Sequence, residues 1–132
     1  MNDRANGEFD VKLVTQPTDP GGDPAIARST LDKTFHGDLE ATSRGLMLST
    51  AGSVLGSAGY VALERVTGTL KGRRGSFTLQ HIGTADRGTT SLNVIVVPDS
   101  GDGELTGLKG RLDIVIDNKK HFYTFDYELP GG

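Results

Sequence analysis

His121-Phe122-Tyr123-Thr124-Phe125-Asp126-Tyr127-Glu128-Leu129 alternates two kinds of side chain with a period of two. The odd-numbered positions are mostly aromatic or apolar, and the even-numbered positions after Phe122 are polar. Successive side chains of a β-strand point to opposite faces, so this pattern is typical of a strand with one buried side. It predicts a half-buried strand near the carboxyl end of the chain.

The same alternation returns towards the amino end, separated by turn-forming residues. It predicts strands over 8–14, 29–41, 44–51, 58–70, 76–82, 92–97 and 107–117. A helix over 54–66 is the alternative for one segment, but Gly52, Gly56 and Gly59 interrupt any long helix in this region, where three glycines would cost roughly 2–3 kcal/mol. We therefore expect about eight strands and an all-β fold.

Closure of these strands into a barrel is the expected architecture, because a closed sheet leaves no exposed edge. A barrel of about eight antiparallel strands has room inside for side chains or one small ligand. The length of 132 residues suits one domain, so we expect a single β-barrel domain over residues 1–132.

Composition excludes several classes of function. The net charge of −3 argues against a nucleic-acid backbone or an anionic membrane as partner. The chain has no cysteine, which excludes a disulfide scaffold, a thiolate nucleophile and a cysteine-bound zinc. The polar stretch 1–9 does not have the character of a secretory signal, so a cytoplasmic location is expected.

Six segments, read in order, resemble a family of small bacterial proteins of unassigned function that is itself similar to the allene oxide cyclase barrel. The segments are 33–39, 58–65, 68–73, 75–81, 97–101 and 121–127. The resemblance implies a closed antiparallel barrel of about eight strands with a central cavity. Barrels of that type include isomerases and cyclases of apolar, oxygenated or polyene substrates. We do not place the catalytic residues of the plant enzymes on this chain position by position.

Polar residues on the apolar faces of the predicted strands are the candidates for chemistry. They are Lys33, His81, His121, Tyr123 and Tyr127. A polar group inside a small core needs a partner or costs about 1–3 kcal/mol. Glu64 shares a predicted inward face with Tyr60, which makes it the natural counter-charge for Lys33.

Two interpretations of these residues stay open. In the first, Glu64 or a histidine, His81 or His121, is the general base, Tyr123 or Tyr127 polarises a substrate oxygen, and Lys33 stabilises negative charge. The ligand would then contact Lys33, Phe35, Tyr60, Phe77 and Phe125. In the second, Lys33 pairs with Glu64 and each histidine bonds to a tyrosine hydroxyl, as a buried structural network. Neither interpretation needs a cofactor or a metal.

Other motifs are weaker. His36 and Asp38 offer two metal ligands without a third at suitable spacing, so a solvent-facing His36 is expected. Residues 68–76 lack the Gly-Lys-Ser/Thr ending of a phosphate-binding loop, and Arg73 and Arg74 are expected at a hairpin tip.

The sequence predicts a barrel that binds a small organic ligand, as a cofactor-free isomerase or cyclase. The alternatives are a non-catalytic ligand-binding protein and a structural or interaction module whose barrel is filled by its own side chains. A cavity below roughly 300 Å³ would favour the structural module. A homodimer through an outer sheet face with Ile95, Val115 and Phe122 is a further expectation.

Overall fold

Eight strands follow one another in chain order around a closed barrel in the computed structural model, which describes residues 2–130. Every neighbouring pair is antiparallel, and β1 pairs with β8 from Asn2↔Glu128 to Phe9↔His121, which closes the sheet. The prediction of an all-β, eight-stranded closed antiparallel barrel is therefore confirmed. The strands are β1 (Asn2–Gln16), β2 (Ala27–Gly37), β3 (Leu39–Ala51), β4 (Ala58–Leu70), β5 (Arg73–Asp86), β6 (Thr89–Val96), β7 (Lys109–Asp117) and β8 (Lys120–Glu128).

The segment 58–70 is the strand β4, as predicted, and no helix forms over 54–66. A short 3-10 helix, Gly103–Leu105, lies in the β6–β7 connection. Within residues 2–130, no helix has the length and apolar character needed to cross a bilayer.

The prediction of one strand over 29–41 is wrong, because the chain turns at Gly37 and Asp38 between β2 and β3. Gly37 has a φ of 105°, in the left-handed region that favours glycine. Asp38 secures the turn through Asn6: its side chain accepts a hydrogen bond from the Asn6 N–H at 2.9 Å, and its own N–H donates to the Asn6 carbonyl at 3.1 Å. Phe35 pairs with Ala41 across the turn and both side chains remain inside, so the alternation runs through the turn unbroken.

One end of the barrel, where the β2–β3, β4–β5 and β6–β7 connections lie, is filled by the protein's own side chains. We call it the closed end. Leu105 and Leu108 from the β6–β7 connection are fully buried there. The Phe125 ring stacks on the rings of Phe77 and Tyr127, with centroids 5.8 and 5.3 Å apart. This end holds most of the hydrophobic core.

The opposite end, at the β1–β2, β3–β4, β5–β6 and β7–β8 connections, is the open end. Leu13 on β1 and Ile116 on β7 occupy positions that face inward by alternation, yet they are 52 and 66 % exposed. Their exposure reflects their position at the mouth, where the interior meets solvent. The barrel is thus packed at one end and hollow at the other.

Candidate cavity and buried ion cluster

Four polar side chains from neighbouring strands meet in the middle of the barrel, and we call them the Glu64 cluster. Glu64 Oε1 lies 2.8 Å from Lys33 Nζ and 2.6 Å from His81 Nε2. Ser43 Oγ donates to Glu64 Oε2 at 2.5 Å. All four side chains are at most 7 % exposed, so the two charges and the imidazole are held away from bulk water.

Strand register brings the cluster together. Lys33 of β2 lies opposite Ser43 of β3, and Glu64 of β4 lies opposite Gly45. A side chain at Gly45 would place its Cβ 2.7 Å from the Glu64 Cα, so glycine allows the two strands to approach closely here. His81 of β5 is opposite Ala62, one inward position from Glu64. The small residues leave the space that the charged side chains fill.

Glu64 is ionised at neutral pH. Burial raises the pKa of this carboxyl, but the hydrogen bond from His81 and the charge of Lys33 outweigh burial and bring the pKa to about 2. An ionised carboxylate only accepts hydrogen bonds, so Lys33, Ser43 and His81 are all donors to it. The proton of a neutral His81 therefore resides on Nε2, which leaves a lone pair on Nδ1.

A cavity of about 550 Å³ occupies the open end of the barrel. Its walls are mainly apolar. The lining includes the side chains of Met47, Tyr60, Leu92, Ile114 and Ile116.

Tyr60 links this cavity to the Glu64 cluster. Its ring lines the cavity, and the ring centroid lies 6.3 Å from that of His81. Burial, and then the negative charge of Glu64, raise the pKa of the Tyr60 phenol, so its hydroxyl remains a donor at neutral pH. Lys33 occupies the other side of the cluster, with Nζ 4.9 Å from the centroid of the Phe9 ring.

A larger depression, of about 760 Å³, lies on the outside of β3, β4 and β5. Glu64 and His81 border it through their strands, but their side chains are only 0 and 3 % exposed and turn into the barrel. The Glu64 cluster therefore faces the interior of the barrel, where the Tyr60 ring lies between it and the cavity.

The structure brings together only some of the predicted site residues. Lys33, Glu64 and His81 form the cluster and Tyr60 lines the cavity, whereas Phe35, Phe77 and Phe125 are core residues. His121 is half-buried beside the Phe9 ring, with centroids 5.1 Å apart.

Two predicted tyrosines have their hydroxyls bound at the closed end. Tyr123 donates to the His36 carbonyl and accepts from the Leu39 N–H, both at 2.9 Å. Tyr127 donates to Asp3 at 3.1 Å. The expectation that each histidine bonds to a tyrosine hydroxyl is wrong for His81, whose Nε2 binds Glu64. Tyr123 and Tyr127 lie on the inward face, but at a different height along the barrel axis.

Ser43 was not predicted as part of the site. The sequence does indicate its position, because Leu39 and Ala41 face the interior and Ser43 follows two residues later on the same face of the strand. His36 is exposed at 52 %, as expected. Its Nε2 lies 3.4 Å from Asp10 Oδ2, and its Nδ1 lies 3.9 Å from Glu40 Oε2. Among residues 2–130, no three histidines or acidic residues are grouped as a metal site would require.

The chain is thus a small, closed eight-stranded antiparallel barrel with a buried Lys–Glu–His cluster. The chain belongs to the family described as "Protein of unknown function (DUF3224)", which it matches over residues 5–127. It is similar to a protein of unknown function from that family in Shewanella oneidensis MR-1, whose crystal structure was determined at 1.84 Å resolution. The identity is 48 %, the TM-score is 0.92, and the match covers 100 % of both chains. No curated protein matches the chain.

Proposed function

We propose that this barrel binds a small, mainly apolar, oxygen-containing molecule in its open end and isomerises it by proton transfer through His81. The observation that carries the proposal is the position of the Glu64 cluster, with His81 near the Tyr60 wall of an apolar cavity. The cavity volume of about 550 Å³ lies within the usual range for small-molecule sites, above the roughly 300 Å³ that would favour a structural module.

His81 is the better base of the two candidates. Glu64, with a pKa of about 2 and three hydrogen-bond donors around one carboxylate, is a poor proton acceptor at neutral pH. The same carboxylate fixes the tautomer of His81, as the acidic partner does in other acid–histidine pairs. Glu64 is thus a positioning residue, and Nδ1 of His81 is the atom we assign to the proton transfer.

The reaction class that fits is the shift of a double bond next to a carbonyl. Nδ1 of His81 takes a proton from the carbon between the carbonyl and the double bond, and the electron pair moves into a dienolate. The Tyr60 hydroxyl stabilises the dienolate oxygen by hydrogen bonding. The proton returns to the far carbon of the former double bond, so the atoms balance and no cofactor is consumed. This chemistry parallels the isomerases and cyclases that the predicted relation to the allene oxide cyclase barrel implies.

A β,γ-unsaturated cyclohexenone is the probe for this reaction, because its conjugated isomer absorbs more strongly in the ultraviolet. We expect the wild-type protein to accelerate the conversion. The rate of His81→Gln should be at least about tenfold lower, since general-base catalysis contributes roughly a hundredfold or more. His36→Gln, at an exposed histidine outside the barrel, is the control and should keep the rate. A rate that is equal for wild type and His81→Gln would reject the catalytic proposal.

A non-catalytic ligand-binding protein is the second candidate. It is supported by the hydrogen bonds within the Glu64 cluster, which satisfy Lys33, Ser43 and Glu64 without a substrate. An uncharged apolar fluorophore, N-phenylnaphthylamine, tests occupancy separately from turnover. Ile114→Trp should fill the cavity and abolish the fluorescence gain, whereas Val115→Trp, one residue along and 60 % exposed, should not. No binding to the wild type would favour the structural module instead.

A further inference from the structure

The outward faces of β3, β4 and β5 carry an apolar surface that the proposed function does not use. Leu46, Leu48, Val61, Leu63 and Ile82 are each 45 to 53 % exposed. Leu46 lies opposite Leu63, and Val61 lies between Leu48 and Ile82 across the sheet. These five residues are direct neighbours, and we call them the outer patch.

The patch departs from the pattern of a barrel whose outer side faces water. There, inward apolar residues should alternate with outward polar ones. Leu46-Met47-Leu48 and Val61-Ala62-Leu63 are instead apolar on both faces of the sheet. On the opposite side of the barrel, β7 and β8 place Arg111, Asp113 and Asp126 outward. A contiguous exposed apolar surface of this kind marks an interaction site.

Charges of opposite sign border the two ends of the outer patch. Arg44 and Arg65 lie opposite each other towards the closed end; Arg65 binds Asp102 at 2.9 Å. Arg44 is 92 % exposed, and its nearest carboxylate, on Asp32, is 3.5 Å away.

Towards the open end, Asp19 of the β1–β2 connection borders the same outer depression. Its side chain is 65 % exposed and lies 3.1 Å from Arg28. Arg28 borders the same depression, so the surface has Arg44 and Arg65 towards one end and an Asp19–Arg28 ion pair towards the other.

We propose that the outer patch is the interface of a homodimer in which a second copy docks antiparallel, patch against patch. A two-fold axis that lies in the interface, perpendicular to the strands of the patch, turns one copy end for end, so that Arg44 of each copy faces Asp19 of the other. An isologous interface forms every such contact twice, so the arrangement is self-complementary in charge as well as in apolar surface. The cavity at the open end stays accessible. This face differs from the β6–β8 face with Ile95, Val115 and Phe122 that the sequence suggested.

Sedimentation of the purified chain tests the interface. We expect the wild type to have twice its chain mass of 14.0 kDa. Leu63→Asp should be monomeric, because it would bury a carboxylate in the centre of the interface. Val115→Asp, at an equally exposed apolar residue on β7, is the control and should remain dimeric. A monomeric wild type, or a dimeric Leu63→Asp, would overturn the proposal.

A charge exchange tests the antiparallel orientation without altering the apolar centre. Arg44→Asp and Asp19→Arg should each weaken the dimer at least about tenfold in dissociation constant, since each places like charges together. The double variant should bind more tightly than either single variant, because the contact between the two copies again joins opposite charges. Circular dichroism of every variant checks folding, and all these positions are exposed on the surface. A double variant as weak as the singles would overturn the orientation.

Discussion

At the scale of single residues, Glu64 determines what the interior can do. Its carboxylate binds an ammonium, a hydroxyl and an imidazole at 2.5 to 2.8 Å in a nearly water-free space. Removing one partner of a buried ion pair leaves the other charge uncompensated, which is far more costly than removing both. The cluster therefore behaves as one unit in stability and in any proton transfer.

We expect Glu64→Gln and Lys33→Met each to lower the free energy of unfolding by about 3–5 kcal/mol. The double variant should lose clearly less than the sum of the two, because no unpaired charge remains. Urea denaturation of the four proteins measures the coupling. Strictly additive losses would mean that the two charges are separated in solution.

Acid should remove the contribution of Glu64 to stability. The pKa of the folded state, about 2, is below the ordinary value of 4.5, so the contribution is complete above pH 4.5 and is lost as the pH falls towards 2. The shift corresponds to about 3 kcal/mol. The carboxyls of Asp3 and Asp126 also have lowered pKa values. Wild type and Glu64→Gln both contain them, so their effect cancels when the two proteins are compared. Parallel pH profiles of stability for the two proteins would contradict the assignment.

At the scale of strands, glycines decide how closely β3 and β4 approach. An added Cβ at Gly45 would lie well inside contact distance of the Leu63 carbonyl, whereas at Gly59 its nearest neighbour would be the Gly83 carbonyl at 3.8 Å. Gly45→Ala should therefore destabilise the protein by roughly 1–3 kcal/mol, and Gly59→Ala should be close to neutral. Thermal unfolding of both variants makes the comparison. Equal melting temperatures would show that the strands separate easily at Gly45.

Strand patterns predicted the faces of the barrel well, because alternation depends only on backbone geometry. Lys33, Glu64 and His81 were expected inside for this reason, and Lys33 was paired with Glu64 by the need to compensate a buried charge. Alternation says nothing about height along the barrel axis, which depends on the register of all eight strands. Tyr123 and Tyr127 were therefore placed on the correct face but assigned to a pocket at the wrong end. The turn at Gly37 was missed because the pattern continues through it.

At the scale of the whole molecule, the extent of pairing between neighbouring strands varies around the barrel. Within residues 2–130, thirteen residue pairs join β4 to β5, from Ala58↔Ala85 to Leu70↔Arg73, whereas Ile95↔Arg111 alone is paired between β6 and β7. Amides at the ends of β6 and β7 should therefore exchange with deuterium faster than those in the centre of β4. Hydrogen-exchange NMR resolves the two sets. Uniform protection around the barrel would indicate additional pairing between β6 and β7.

The barrel is packed by its own side chains at the closed end and is hollow at the open end. We propose that His81 lies within reach of a molecule in the open cavity. We also propose that Glu64 holds the imidazole proton of His81 on Nε2. Nitrogen NMR of the three histidine rings, titrated with the conjugated cyclohexenone, tests both parts at once. We predict an Nε2–H tautomer for His81 and saturable shifts of its ring signals, with His36, 52 % exposed outside the barrel, unchanged. An Nδ1–H tautomer, or His81 signals that do not respond to the ketone, would contradict the account.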